Sequence, residues 1–337
     1  MNEATTDTPA PKFNRDAVEV KLMRLFGGAM ERASWDACRR SGAWLGMLFF
    51  HAIRSRREVS ISNVRLAFPH MSEAAAQRMA RRSAQNFAMM FCEFMHLRTA
   101  SPAEVRAYAD IEGLEHIQHG LEQGRGVLLL TAHLGNWEVM GARAAQEFPL
   151  TVIARPTSNA GVEDHIAQVR AAARIGVISK FDTGRAAIKV LRNNGTLGIL
   201  PDQHAGPEGL LLPMFGHPTR FVTAIPRLAL LSGAPIVPAF GVRRTPWLAN
   251  GRIVARVSPG IMLDKDTGDT ASTRSREEAI VQGTRCVIAE IEGIVRQHPD
   301  QWLWMHRRWR RSDERDAAEQ AQNNNASGSN SEQSHHE

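Results

Sequence analysis

The sequence predicts an α/β protein, with a mainly parallel central sheet flanked by helices and a helical N-terminal membrane-docking region. Three observations carry that prediction. From about Gly126 onward, short apolar runs alternate with helical segments, the pattern of a parallel sheet covered by helices. Residues 16–100 instead follow helical spacing. Several apolar runs also end abruptly in polar, chemistry-bearing residues, as strands do at the carboxyl edge of such a sheet, where ligands gather.

The elements follow in order. Residues 1–15 are expected to be disordered: Met1 to Pro11 is acidic and polar and lacks the charged and apolar regions of a secretory signal. Residues 16–100 form the helical, membrane-associating region. Its apolar run Gly42–Ile53 would span only about 18 Å as a helix, against a hydrocarbon core of about 30 Å. It reads either as a core helix or as an interfacial one, with Trp44 and the arginines after Ile53 at headgroup depth. Met79, Phe87, Met90, Phe91, Phe94 and Leu97 form a helical stripe that reads as core.

Residues 101–311 form the α/β domain. Ser101-Pro102-Ala103-Glu104 opens a helix, with Pro at its first position. Strands are expected at Val127–Ala132, Leu150–Ala154, Leu197–Leu200, Pro235–Phe240 and Arg252–Val257. Helices are expected at Glu138–Gln146, Val162–Arg174, Arg185–Arg192 and Arg274–Gln297. Residues 312–337 are Asn-, Ser-, Gln- and Glu-rich without apolar periodicity, and read as a disordered polar tail.

Composition narrows the function. A chain of 337 residues with 43% hydrophobic content can bury a large core. The three cysteines stand apart, without metal-ligand spacing, so no metal site is expected. The net charge of +6 points to an anionic partner, with arginine clusters at 54–57, 78–82 and 307–311. One tyrosine and no recognition motif argue against nucleic acid. The absence of a Walker pattern and of G-x-G-x-x-G leaves nucleotide binding unsupported, and no cofactor is expected.

The chemistry concentrates at strand ends. The run Val127–Leu130 leads to His133, followed by Gly135-Asn136 and, five positions after the imidazole, Glu138. On one helix that spacing sets two side chains about 140° apart, so His133 and Glu138 meet only across a strand-to-helix turn. Asn136 suits an N-cap there. Two further strands end at Arg155 and at Asp202-Gln203-His204. If these strands are neighbours, His133, Arg155 and Asp202 converge: an imidazole oriented by a carboxylate removes a proton, and an arginine stabilises developing charge. Glu138 and Asp202 are both candidate partners for the imidazole, although Glu138 equally suits a first-turn helix charge and Asp202 a turn. No G-x-S-x-G elbow exists, which favours direct transfer to a bound hydroxyl over a covalent enzyme intermediate.

The order of blocks resembles the late acyltransferases of bacterial lipid A biosynthesis, relatives of the His-x4-acid glycerolipid acyltransferases. The blocks are Asn63–Pro69, Phe91-Cys92-Glu93, His133–Glu138, Ile153–Pro156, Leu200–Gln203, Pro213–Gly216, Leu228–Pro238 and His298–Trp309. The resemblance implies transfer of a fatty acyl group from an acyl carrier protein or acyl-CoA thioester to a hydroxyl of an anionic glycolipid, a lipid A precursor in its best-known branch. A phosphatidylinositol mannoside or an aminolipid is the alternative acceptor. It implies a place at the cytoplasmic face of the inner membrane, peripheral or monotopic. His133 is the implied base, with Glu138 and Asp202 the other expected catalytic residues. Arg155, Asn136, Gln203 and Arg185 are the expected substrate-binding residues. The second block departs from the family's usual Asp-Gln-Asp, with His204 in third place.

Overall fold

The computed structural model describes residues 15–181, 183–245, 251–263 and 273–318. The expected disordered N-terminus therefore lies outside the described residues, except for Arg15, which begins a helix. So does the expected polar tail from 319 on; its first residues differ from expectation, because 311–318 is helical.

The N-terminal region is four helices: α1 (Arg15–Arg32), α2 (Trp35–Ala52), α3 (Arg54–Ala67) and α4 (Glu73–His96). Ser34 and Ser72 cap α2 and α4 with their side chains, satisfying backbone donors that the first turns leave free. Gly42 and Gly46 let α2 cross α4 at close range, since a Cβ on either would lie 2.4 Å from a backbone Cα of α4. One face of the apolar run is thus core, through Gly42, Ala43, Gly46 and Phe50. The other exposes Trp44, Met47, Leu48 and Phe49, with Ile53 just beyond the helix. The core reading holds for the first face, and the second is left open to solvent. In α4 the apolar stripe packs inward as expected: Met90 and Phe94 are buried, with Leu97 just past the helix end.

The α/β part begins at α5 (Pro102–Tyr108), whose Ser101–Glu104 capping box matches the start signal. It continues through β1 (Ala109–Glu112), α6 (Leu114–Glu122), β2 (Val127–Leu130), α7 (Trp137–Ala144), β3 (Leu150–Ala154), α8 (Ala160–Ala172), β4 (Ile175–Ser179), α9 (Thr183–Arg192) and β5 (Thr196–Ile199). A hairpin β6 (Leu210–Met214) and β7 (His217–Phe221) follows, then α10 (Ala224–Ser232), β8 (Ile236–Arg243), β9 (Ile253–Val257) and α11 (Thr273–Gln297).

Seven strands form one sheet in the order β1-β9-β8-β2-β5-β3-β4. It is mainly parallel: only the β8–β9 pairing is antiparallel. Every residue of β2, β5 and β8 is buried, as expected of central strands covered on both faces. The order places β2, β5 and β3 side by side, so the three strands that end in candidate site residues are neighbours. Among the described residues no helix is long and apolar enough to cross a membrane.

Candidate active site

The site starts from the strand-to-helix turn. After β2 the chain passes through buried Thr131 and Ala132 to His133, and turns at Gly135 with φ +61°. Glycine is required there, because a Cβ would lie 1.9 Å from the Gly241 carbonyl oxygen. The turn is held on all sides. Gly135 N–H donates to the Gln301 carbonyl and Asn136 N–H to that of Gly241; the His133 carbonyl accepts from Leu303 N–H. Asn86 donates to the Gly135 carbonyl.

Asp202 comes from the end of the neighbouring strand β5. Its Oδ1 lies 2.7 Å from His133 Nδ1. Its Oδ2 accepts the backbone N–H of His133 at 2.9 Å and the indole N–H of Trp302 at 2.8 Å. Burial alone would raise this carboxyl; the His133 imidazole and the hydrogen bonds from His133 and Trp302 outweigh burial and hold it at about 2. An ionised Asp202 places a proton on Nδ1 and leaves the Nε2 lone pair free to act as a base. The Gln203 side-chain amide nitrogen lies 3.3 Å from that Nε2, and the edge of Trp137 packs on the ring at 5.0 Å between centroids. His133 is the exposed member of the pair, at 21% of its side chain against 2% for Asp202.

Between the two candidate partners of the imidazole, contact therefore goes to Asp202. Glu138 instead accepts from Arg170, at 2.6 Å and 3.3 Å, and from the Trp137 indole N–H at 3.3 Å. Burial disfavours the Arg170 charge, but the Glu138 carboxylate overrides this and holds the guanidinium above its ordinary value. Asn136 is fully buried: its oxygen caps α7 by accepting from Val139 N–H, and its amide donates to Glu93 at 2.6 Å. It supports the turn and presents no surface to a ligand. Arg155 stands exposed beyond β3, and Arg185 is exposed in the first turn of α9; both lie at the carboxyl edge of the sheet but neither contacts His133.

Several supporting residues escaped the sequence reading. Arg243 ends β8 and makes a bidentate ion pair with Glu93, both side chains fully buried. Tyr108 O–H also donates to Glu93, at 2.5 Å. Gln301 bridges backbone groups of Arg243. Two signals were present: a glutamate inside the apolar stripe of α4, and an arginine closing an otherwise apolar strand.

A sequence-family profile described as bacterial lipid A biosynthesis acyltransferase matches residues 28–311. The chain belongs to this family. It is therefore an acyl-transferring enzyme. It is 24% identical to the lipid A biosynthesis lauroyltransferase of Escherichia coli K12, over 80% of this chain and 84% of that protein. It is 21% identical to the palmitoleoyltransferase of the same organism, over 80% and 83%. It is also 22% identical to a phosphatidylinositol mannoside acyltransferase of Mycolicibacterium smegmatis, over 68% and 72%. The matched span contains the His133–Asp202 pair and the Arg243–Glu93 pair behind it.

Proposed function

We propose that this acyltransferase moves a fatty acyl chain from an acyl carrier protein thioester to a hydroxyl of a lipid A precursor, with His133 as general base. The observation that carries this reading is the hydrogen bond between His133 Nδ1 and Asp202 Oδ1, which occupies Nδ1 and leaves Nε2 as the ring nitrogen available to an acceptor hydroxyl. An incoming hydroxyl takes the place of the Gln203 amide beside Nε2, loses its proton there and attacks the thioester carbon; the thiolate leaves with the proton from His133. His133→Ala is expected to lower the transfer rate about a thousandfold while the melting temperature stays near wild type. Full activity in that variant, assayed with a loaded carrier and a lipid A precursor, sinks the reading.

The surface supports a lipid acceptor and an acidic donor. On α1, Val18, Leu22 and Leu25 share one face and are exposed, and α2 exposes Trp44, Met47, Leu48 and Phe49. Arg40, Arg54 and Arg56 are exposed at the ends of the same apolar stretch. Such a surface rests in a bilayer interface with its cations at the anionic headgroups, which fits a peripheral or monotopic place at the cytoplasmic face of the inner membrane.

For the donor, Arg185, Lys189 and Arg192 form an exposed stripe along α9, beginning at the edge where His133 lies. Reversing Arg185 and Lys189 to Glu is expected to raise KM for the carrier thioester about tenfold and to flatten its salt dependence. Unchanged KM and salt dependence would remove α9 from donor binding.

The mycobacterial relatives favour a second acceptor, a phosphatidylinositol mannoside or related glycolipid. Mass spectrometry of lipids from a deletion strain separates the two: a lipid A species short of one secondary acyl chain supports the first.

A further inference from the structure

The segment after α11 brings a second imidazole to the same edge. Residues 302–306 run beside the His133 turn: Leu134 and Trp302 form a β-bridge, and Leu303 N–H reaches the His133 carbonyl. At the end of this run, His306 Nε2 accepts the backbone N–H of His204 at 3.1 Å, two residues beyond Asp202. A backbone amide only donates, so Nε2 must carry a lone pair and a neutral ring must carry its proton on Nδ1. Among the described residues the ring's other nitrogen makes no hydrogen bond, and the side chain is half-buried.

Burial, more than the charges around it, favours the neutral ring. Burial and then the Arg308 guanidinium push the imidazole down to about 4; Asp202 pulls the other way, and His133 and His204 add to the depression. Neutrality matters, because His133 becomes an imidazolium during transfer and a second cation beside it would oppose that proton uptake.

We propose that His306 is a further catalytic residue of the acyl transfer: its Nδ1–H is an uncharged hydrogen-bond donor to the thioester carbonyl oxygen as that oxygen becomes anionic. This rests on the acyl-transfer reading above. The acceptor oxygen forms the new C–O bond as its proton passes to His133 Nε2, and the carbonyl π pair moves onto oxygen, where the Nδ1–H meets it. On collapse that pair restores the C=O bond, the C–S bond breaks, and the sulfur leaves with its electron pair and takes the proton from His133. His306 gives up no proton at any point. In this role the ring is a dipole held in place through its Nε2 by the His204 backbone, and fixed donors of this kind are the means by which enzymes stabilise such oxyanions.

Two amide substitutions separate this role from a structural one. His306→Asn keeps a donor near the Nδ1 position and loses the acceptor for His204. His306→Gln keeps the acceptor and loses the donor. Measured as kcat with a loaded carrier and lipid A precursor, Asn is expected to stay within about tenfold of wild type, and Gln to fall about 10²–10³-fold. The reverse order, equal losses, or two variants at the wild-type rate overturn the proposal. The ¹⁵N resonances of wild-type His306 give a readout independent of turnover: a neutral, Nδ1-protonated ring at pH 7 is expected, and the other tautomer or an imidazolium overturns it. Wild type without transfer defeats the acyl-transfer reading itself; wild type active with His306→Asn inert defeats only this one.

Discussion

Asp202→Asn is expected to lower kcat by about 10³–10⁴-fold while leaving the fold intact. The direction follows from the partners of each carboxylate oxygen. Oδ2 accepts two donors, the His133 backbone N–H and the Trp302 indole N–H. An asparagine must therefore place its carbonyl oxygen there and its NH2 at the Oδ1 position, facing His133 Nδ1. The imidazole answers by accepting at Nδ1 and carrying its proton on Nε2, the tautomer that cannot take a proton from an acceptor hydroxyl. Transfer kinetics combined with a thermal melt check this; a variant retaining a tenth of wild-type kcat removes Asp202 from the mechanism. The same carboxyl has a stability consequence. Its folded value of about 2 lies below the ordinary 3.8, so the stabilisation it supplies is present above the ordinary value and is lost as pH falls from there toward 2. Asp202→Asn should flatten the wild-type loss of melting temperature across that window.

How much was legible in advance depends on whether the physics was local. The central strands announce themselves because β2, and β8 as far as Arg243, are apolar runs buried on both faces, and the chemistry at their carboxyl edge follows from where those runs stop. The strands missed were those without that signature. Ala109–Glu112 is short and half acidic, and Ile175–Ser179 is an edge strand with a glycine second. The hairpin β6–β7 carries Pro213 and Pro218, which a two-stranded ribbon tolerates because each strand has a free side. The helical start of the expected tail was hidden for another reason: Asp313 is held by His204 at 2.9 Å and Asp316 by Arg220 at 2.5 Å. Polar composition does not reveal such contacts, since both partners lie about a hundred residues away.

The site divides the same way. Spacing alone established that His133 and Glu138 could meet only across a turn; it could not establish that Glu138 turns instead to Arg170, a residue on another helix. Asn136 was legible as a cap, and the cap is what it forms. Its second contact, with Glu93, belongs to a buried network assembled from α4, α5, β8 and the turn, which no window of sequence contains.

That network supplies the largest expected stability effect. The Glu93 carboxylate accepts both terminal nitrogens of Arg243, at 2.6–2.7 Å, together with Tyr108 O–H and the Asn136 amide. The remaining guanidinium contacts go to Asn86, to the Gly251 carbonyl and to the Tyr108 hydroxyl oxygen. Arg243→Met leaves a fully buried carboxylate with two neutral donors and without its bidentate counter-charge. Removing one member of such a pair costs about 3–5 kcal/mol, because the charge left behind is uncompensated. The denaturation midpoint should drop accordingly, and an unchanged midpoint contradicts the reading. The double variant Glu93→Met with Arg243→Met removes both charges, so it should cost less than the sum of the two single changes. If the costs simply add, the two residues are not coupled through charge. The consequence reaches the chemistry through Asn136, whose amide rests on Glu93 while its oxygen caps α7 three residues after His133. In Arg243→Met, kcat should therefore fall even at temperatures where the variant remains folded, and the double variant should not restore it, since it leaves the Asn136 amide without its acceptor.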